Sequence, residues 1–536
     1  MVAVLTRQTL ILSQIKHQPM KNITLLAGLL AGTITACAQL AAPGTAAVPF
    51  ANSITANGLK KNLYIIAGDE MQGRETGQPG QYKAAAFITE KFKQAGLQPA
   101  ADGKWEQPFS LFQDTINTGT IKAGGKTFTF GRDFYNSLRD NSNQTLSSTG
   151  VVFAGYGVSN EAYDNYKGLD VTDKIVMLAE GVPLNADGEA MFPLAEGQTT
   201  LSTLRNKLRT AGGKGAKAVF IVTSNAAQIA RAGNRVRRTG LYFQEMTTME
   251  YIPNSYFISA DMATAILGTP YATLAAALKD PAAALQPVNG QITDLVFKKG
   301  SAEIKSSNVL GILPGTDKKD EYLFITAHYD HIGVINGKIH PGADDDGSGT
   351  VAVIAMAEAF MKAKKAGKGP RRSIVFMTVS GEEKGLLGSR YYTDHPVYPL
   401  ANTVADLNID MIGRIDKDHA QDSNYVYIIG DNKLSSDLRP VSEAANENVG
   451  LDLDYKYNDP NDPNRFYYRS DHYMFAQHKI PIIFYFNGVH PDYHGAGDTP
   501  DKISYPMLEK RARLVFHTAW EIANREERLK VDRDEK

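Results

Sequence analysis

The chain has 536 residues, of which 43% are apolar and 21% charged, a composition typical of globular proteins and not of disordered, collagen-like or multi-span membrane chains. This length allows two to four domains, or one large domain with an insertion. The formal net charge is -1 and no basic stripe with interleaved aromatic residues is present, so nucleic acid is not an expected partner. Because Cys37 is the only cysteine, an intramolecular disulfide and a thiolate zinc cluster are excluded, and any metal must be bound by His, Asp and Glu.

The N-terminal segment has the order of an export signal. Lys21 precedes an apolar stretch of small residues, 23–34, which is too short to span a bilayer. The stretch ends in Ile34-Thr35-Ala36-Cys37, which resembles a bacterial lipobox. The resemblance implies a signal peptide over 1–37 and a membrane contact only through lipid chains on Cys37. Since residue 38 is not Asp, we expect a periplasmic protein anchored in the outer membrane of a Gram-negative bacterium. An ordinary signal peptide is the alternative.

The next segments are predicted from composition and periodicity. Residues 38–54 are rich in Ala and Pro and are predicted to be a flexible tether. Leu59, Leu63 and Ile66 recur at helical spacing, and a second helix is predicted up to a stop at Gly96. We assign residues 55–149 to the N-terminal part of the main domain.

Residues 150–297 form a second compositional unit. Short β-rich runs at 151–154, 175–178 and 218–222 alternate with helical stretches and glycine-rich turns. The segments 212–220 and 252–258 resemble a protease-associated domain. We therefore predict a β-rich protease-associated domain inserted at 150–297, without a catalytic cluster of its own.

Residues 298–530 alternate strand and helix patterns. Strands are predicted at 322–327, 373–379, 405–409 and 480–486, and helices at 349–365 and 506–524. This alternation favours an α/β fold with a mixed, mostly parallel sheet sandwiched by helices.

Four of these strands lead into acidic or histidine residues, and a fifth acidic group opens a helix. The segments are His328-Tyr329-Asp330-His331, Glu382-Glu383, Asn408-Ile409-Asp410, Asp492-Tyr493-His494 and Asp344-Asp345-Asp346. Each alone has an ordinary explanation: a helix cap, a solvated turn or a surface histidine. Ligands gather at the carboxyl edge of such sheets, however, so these groups are expected to converge. Close carboxylates stay ionised only if cations balance them, which favours a pair of divalent metal ions.

The ordered motifs His-x-Asp, Gly-Ala-Asp-Asp-Asp-Gly-Ser-Gly, Gly-Glu-Glu, Asn-x-Asp and Asp-Tyr-His-x-x-x-Asp-Thr resemble those of the M28 metallopeptidases. The resemblance implies a zinc-exopeptidase (phosphorylase/hydrolase-like) fold and two Zn²⁺ per chain. It also implies a cis bond after Asp345 and a set of five metal ligands: His328, Asp345, Glu383, Asp410 and His494. Asp345 would bridge the zinc ions, Glu382 would be the general base for a bridging water, and Asp330 would orient His328.

The segment Tyr467 to His472 resembles a family segment that places a tyrosine near the developing oxyanion. Tyr467 is the first choice for this role, with Tyr468 and Arg469 as alternatives. Asp471 and His472 are expected to support the site. The other candidates are expected to shape loops, namely His331, His340, His490 and Asp492.

The resulting hypothesis is a dizinc aminopeptidase that removes N-terminal residues from peptides. A carboxypeptidase or dipeptidase on the same site remains open, since Arg414 or Arg469 could bind a substrate carboxylate. A zinc-dependent cyclase acting on N-terminal glutamine, or a non-catalytic binding protein carrying a protease-associated domain, are further alternatives.

Overall fold

The structure is a computed structural model that describes residues 46–100, 103–161, 163–184, 189–190, 200–223, 226–244, 251–279 and 287–534. The α-helices within these ranges are α1 Val48–Ala51, α2 Ala56–Ile66, α3 Pro79–Ala95, α4 Thr200–Gly213, α5 Ala226–Arg235, α6 Ala260–Leu267, α7 Tyr271–Ala277, α8 Gly349–Lys365, α9 Leu387–Asp394, α10 Leu438–Asn446, α11 His472–Gln477 and α12 Tyr505–Asn524.

The strands are β1 Gln98–Pro99, β2 Glu106–Ala123, β3 Lys126–Thr129, β4 Phe134–Tyr135, β5 Gln144–Phe153, β6 Ile175–Ala179, β7 Ala218–Thr223, β8 Asn254–Ser259, β9 Asn289–Leu313, β10 Lys318–His328, β11 Gly333–Ile335, β12 Lys338–His340, β13 Arg372–Val379, β14 Thr403–Ile409, β15 Tyr425–Ile429, β16 Asp452–Asp454 and β17 Ile482–Phe486.

Apart from the hairpin of β11 and β12, the described strands form one continuous sheet. Its order is β16-β15-β17-β14-β10-β13-β9-β5-β6-β7-β8-β4, with β1 and β2 also on β9 and β3 on β2. Strands β13, β10, β14 and β17 are mutually parallel, whereas β9 and β15 border them in the antiparallel sense. This arrangement confirms the predicted mixed, mostly parallel sheet, and it aligns the carboxyl ends of the four central strands.

The long strand β9 joins two parts of the sheet. Its first half pairs with β5 and its last residues pair with β13, while β2 pairs along most of its length. The predicted boundary at 297 therefore falls inside a strand. The apolar core of the predicted insertion also includes residues upstream of the predicted boundary at 150, among them Ile121, Phe128 and Phe134.

Helices cover both faces of the half of the sheet that contains the four central parallel strands, as predicted. Alternation along β10 directs Leu323 and Ile325 into the core with α8 and α12, and Phe324 into the opposite core with Phe475 of α11. Because β10 is buried on both faces, its buried residues form a nearly continuous apolar run in the sequence.

The segment before α2 differs from the prediction of a tether. Ala47, Ala51 and Ile54 are buried in the core with α8 and α12, because α1 packs there. Residues 46–54 are thus folded, while residues 38–45 and the proposed lipidation site Cys37 lie outside the described residues. Within the described part of the chain, no helix combines the length and apolarity needed to cross a bilayer.

Candidate metal centre and active site

The predicted site residues are brought together at the carboxyl edge of the central strands. His328 is the last residue of β10, and Asp410 directly follows β14. Glu382 and Glu383 begin a 3₁₀ turn after β13, entered through Gly381 with a φ of 85°, a conformation that favours glycine. Asp345 lies in the turn before α8, and its peptide bond to Asp346 is cis, as the resemblance implied.

One group of donors surrounds the buried His328 imidazole. Its Nε2 lies 3.2 Å from Asp345 Oδ1, 3.5 Å from Asp410 Oδ1 and 3.9 Å from Glu382 Oε2. His328 Nδ1 donates to the backbone carbonyl of Asp330 at 3.0 Å. This bond fixes the tautomer in which Nε2 carries a lone pair facing the carboxylates.

A second group surrounds Glu383. His494 Nε2 lies 3.1 Å from Asp345 Oδ2 and 3.3 Å from Glu383 Oε2. The two oxygens of Asp345 thus face two different histidines, one in each group. This is the arrangement that a bridging carboxylate requires.

The donors fit zinc in type and spacing. Imidazole nitrogen and carboxylate oxygen are zinc ligands, and ligands at 2.0–2.1 Å in a tetrahedron lie about 3.3 Å apart. The separations of 3.1–3.5 Å between the predicted ligands agree with this spacing. Several buried atoms that could bind a metal ion also make no hydrogen bond to the described residues. They are His328 Nε2, Asp345 Oδ2 and Glu383 Oε1. The centre therefore offers lone pairs that the protein itself does not satisfy.

The pKa shifts of the buried carboxyl groups and of His328 also favour bound metal ions. Burial, together with the charges of neighbouring carboxylates, raises the pKa of Glu382 well above its ordinary range and that of Glu383 to about 8. Burial would lower the pKa of His328, but Asp410, Glu382 and Asp345 raise it well above the ordinary value. Without cations this cluster holds protons at neutral pH, and bound divalent metals would replace them.

Asp330 contacts Glu382 and Thr76 through its side chain and His328 through its backbone. One carboxylate oxygen accepts from the Glu382 backbone N–H at 3.3 Å, and the other accepts from Thr76 Oγ1 at 2.6 Å. The Asp330 carboxylate lies 3.8 Å from His328 Nδ1. The prediction that this carboxylate itself orients the imidazole is therefore corrected: the backbone carbonyl does so, because it is nearer.

Beneath the site lies Arg74, a buried cation that the sequence analysis did not single out. It donates to the backbone carbonyls of Tyr329, Ile66, Pro341 and Gly342 at 2.7–2.8 Å. These bonds tie the loop after His328 to the loop before Asp345. Gly73 beside it has a φ of 66°, and a Cβ there would collide with the carbonyls of Gly333 and His340. The available sequence signal was Gly73-Arg74, an arginine directly after a glycine in the segment between α2 and α3.

A further acidic layer supports Asp345. Asp498 accepts from the backbone N–H groups of Asp344 and Asp345 at 3.0–3.1 Å, and His490 Nε2 lies 3.3 Å from Asp344 Oδ2. Asp492 binds Arg414 and Lys502, each at 2.9 Å. His340 Nδ1 lies 3.1 Å from the carbonyl of His494. These contacts connect the loops around the site.

His331 lies closer to the centre than expected. Its Nδ1 is 2.8 Å from Glu383 Oε1 and 3.9 Å from Asp345 Oδ2, and the ring is fully buried. His331, Asp345 and Glu383 form a donor group compact enough for a metal ion. The sequence signal was its place in His328-Tyr329-Asp330-His331, where it was assigned to loop shape.

Tyr467, the first choice from the sequence, and Tyr493, which was not considered there, have different surroundings. The Tyr467 ring is buried and packs against Tyr468, His472 and Tyr473. In contrast, the Tyr493 ring stacks on His494 with centroids 3.9 Å apart. Burial and the charges of Asp345, Asp410 and Glu382 raise the pKa of Tyr493, so its hydroxyl keeps its proton at neutral pH and can act as a hydrogen-bond donor. Tyr493 is a second candidate that the sequence analysis did not consider, although it directly precedes His494.

Comparison with known proteins identifies the region that carries this site. Residues 308–519 match the sequence profile of peptidase family M28. The chain is 28% identical over 235 residues to aminopeptidase YwaD of Bacillus subtilis, covering 42% of this chain and 47% of that protein. It is 28% identical over 254 residues to a probable leucine aminopeptidase of Arthroderma otae, covering 45% and 64%. The chain thus spans about half to two-thirds of the length of these relatives.

A solved structure of similar extent is the aminopeptidase from Aneurinibacillus sp. strain AM-1. It has a TM-score of 0.49 and 19% sequence identity, and the alignment covers 91% of this chain and all of that chain.

Proposed function

We propose that the protein is a zinc-dependent aminopeptidase acting on peptides, because residues 308–519 match the sequence profile of peptidase family M28. The observation that carries the proposal is the pair of donor groups that share Asp345. Glu382 lies beside them, and its carboxylate is not required as a metal ligand in either group. The relatives named aminopeptidase support the choice of reaction.

We assign two zinc sites. His328, Asp410 and Asp345 would hold one ion, and Glu383, His494 and Asp345 the other. When bound, zinc supplies Lewis acidity that polarises the scissile carbonyl and makes a water molecule more acidic. His331 Nδ1 lies 2.8 Å from Glu383 Oε1, so this histidine lies directly beside a proposed ligand.

The protein groups then perform the proton transfers. Glu382 takes a proton from the attacking water and passes it to the leaving amine. The bond from its backbone N–H to Asp330 fixes the turn on which it lies. The Tyr493 hydroxyl donates toward the oxygen on which negative charge develops. The carboxylates around the site attract the protonated amine of the substrate, which favours cleavage after the first residue.

A substrate profile tests this proposal. The purified protein, loaded with zinc, is compared on leucyl peptides with a free amine and on the same peptides after N-acetylation. We expect hydrolysis of the free peptides only, lost on chelation and restored by zinc, with two zinc ions per chain by elemental analysis. Equal hydrolysis of the acetylated peptides would refute an aminopeptidase and favour a carboxypeptidase. Release of pyroglutamate from N-terminal glutamine, with one zinc ion, would indicate the cyclase.

We also propose that the protein is exported and anchored by lipid at Cys37, as residues 21–37 suggest. Metabolic labelling with a fatty acid, followed by fractionation of the envelope, tests this. The Cys37→Ser variant is expected to lose the label and leave the outer-membrane fraction. Label on the variant would contradict the proposal.

Finally, we propose that residues 150–297 are mainly an inserted protease-associated domain. Support comes from the parallel strands β5 to β8 and from two separate apolar cores in this region. A crystal structure of the mature protein whose strand order here differs from that of protease-associated domains would refute the assignment.

A further inference from the structure

Arg469 lies at the rim of the metal centre, on a backbone segment that buried hydrogen bonds hold in place. The next two residues are buried: Ser470 accepts from Asn408 Nδ2 at 2.9 Å, and Asp471 accepts from Ser389 Oγ at 2.5 Å. Asn408 is on β14, two residues before Asp410. The start of the Arg469 side chain is therefore fixed relative to a predicted metal ligand, although the side chain itself is exposed.

The guanidinium of Arg469 is directed toward Tyr493. Its Nη2 lies 3.4 Å from the Tyr493 hydroxyl, and its carbon lies 4.9 Å from the centre of the Phe466 ring. Tyr493 in turn stacks on His494, whose Nε2 is 3.1 Å from Asp345. One aromatic ring thus separates the guanidinium from the site where the peptide bond would be cleaved.

Arg469 differs from the other cations around the site in having no carboxylate within ion-pair distance among the described residues. Arg414 is paired with Asp492 at 2.9 Å, and Lys384 with Glu75 at 3.1 Å. Those two charges are compensated within the protein. A guanidinium without an anion offers a planar fork of N–H donors that matches a carboxylate.

We propose that the Arg469 guanidinium, held beside the Tyr493 hydroxyl, is a subsite for the terminal carboxylate of a dipeptide, so that the enzyme favours dipeptides over longer or amidated peptides. The inference rests on the proposed aminopeptidase function. In a dipeptide the terminal carboxylate belongs to the second residue, whose α-carbon also holds the leaving nitrogen. The carboxylate is therefore close to the scissile bond, and it departs with the leaving residue on the side of Arg469. In a longer peptide an uncharged amide takes its place, and the paired acceptor oxygens are lost.

The test compares leucyl-glycine, leucyl-glycine amide and leucyl-aspartate amide in the zinc-loaded enzyme. We expect kcat/KM for leucyl-glycine to exceed that for its amide by at least about tenfold, since charge-assisted bidentate hydrogen bonds are the strong ones. In Arg469→Gln this ratio is expected to fall to near one, chiefly through KM for leucyl-glycine. Arg469→Lys, which keeps the charge but not the fork, is expected to retain part of the preference.

Arg465→Gln is the matched control, because Arg465 is an exposed arginine four residues away that lies over the Tyr468 ring. It is expected to keep the ratio of the unaltered enzyme. A ratio near one in the unaltered enzyme would overturn the proposal, as would an equal loss of kcat on both substrates in Arg469→Gln. A preference for leucyl-aspartate amide alone would overturn it in favour of a side-chain carboxylate. If none of the three substrates were hydrolysed, the proposed aminopeptidase function would fail as well.

Discussion

Asp330 and Glu382 are joined by a hydrogen bond from the Glu382 backbone N–H to the Asp330 carboxylate, 3.3 Å long. The backbone carbonyl of the same Asp330 accepts from His328 Nδ1. One residue therefore positions both a predicted metal ligand and the turn that carries the proposed base. The two glutamates of that turn have separate surroundings: Glu383 faces His331 and His494, and Glu382 faces His328.

This separation leads to a prediction for Glu382→Gln. The variant is expected to bind two zinc ions but to lose kcat by about 10²–10⁴-fold, because the amide cannot accept the proton from water. Single-turnover assays and zinc analysis of the same preparation measure both quantities. Glu383→Gln is the matched control and is expected to lose zinc as well. Near-normal kcat in Glu382→Gln would exclude Glu382 as the base.

A second prediction separates the two tyrosines. Tyr493→Phe is expected to lower kcat by about 10²-fold with a smaller change in KM, because an oxyanion donor acts in the transition state. Tyr467→Phe removes a hydroxyl from a buried ring and is expected to change activity less. Steady-state kinetics on leucine p-nitroanilide measures the contrast. The reverse order of effects would restore Tyr467, the residue chosen from the sequence.

The regular elements around the site were predictable because burial leaves a clear pattern. Helix α8 has the predicted bounds, Gly349–Lys365, since its apolar residues repeat at helical spacing after an acidic, glycine-rich start. Strand β9 was not predicted, and the predicted domain boundary between residues 297 and 298 falls inside it. In the structure the strand continues through these residues, which pair with residues of β2. Long-range pairing of half-exposed strands leaves no such local signal.

The residues of the candidate site that belong to sequence motifs could be predicted. The residues whose position depends on how loops pack could not. The five predicted ligands and Glu382 converge because each follows a strand or opens a helix at one edge of the sheet. The contacts of Arg74 and Tyr493 depend on how separate loops meet, and a single sequence does not encode those distances in a readable pattern.

A third prediction concerns Arg74, whose side chain is fully buried and bonded to four backbone carbonyls. Arg74→Met is expected to lower the free energy of unfolding by about 3 kcal/mol or more, because those carbonyls lose their donors in the interior. The substitution should also weaken zinc binding, because the bonds of Arg74 connect the loop after His328 to the loop before Asp345. Denaturant titration and zinc calorimetry measure the two effects.

Arg371→Met is the matched control for Arg74. Arg371 is paired with Asp317 and Glu526 at the surface, both at 2.6 Å. Exposed ion pairs contribute little, so the loss of stability is expected to be much smaller than in Arg74→Met. Equal effects of the two substitutions would mean that the Arg74 bonds do not hold the fold.

A fourth prediction concerns pH and follows from the protons that the metal-free site retains. The pKa of Glu383 is raised to about 8, and burial raises the pKa of Asp471 and of Asp498 to about 7. In the unfolded chain these groups have ordinary pKa values near 4 and are ionised above pH 6.5. The folded protein therefore binds more protons than the unfolded chain between pH 6.5 and 8, so its stability falls as the pH rises through this window.

The expected loss attributable to Glu383 alone is about 1–2 kcal/mol between pH 6.5 and 8. Thermal melts of chelator-treated protein across this range should show a falling Tm, and saturating zinc should flatten the profile, because bound cations replace the protons. In Glu383→Gln the metal-free profile should be shallower, since one of the titrating groups is gone. A metal-free Tm that stays level or rises up to pH 8 would show that these carboxyl groups are already ionised in the folded protein. The electrostatic argument for a metal pair would then lose its basis.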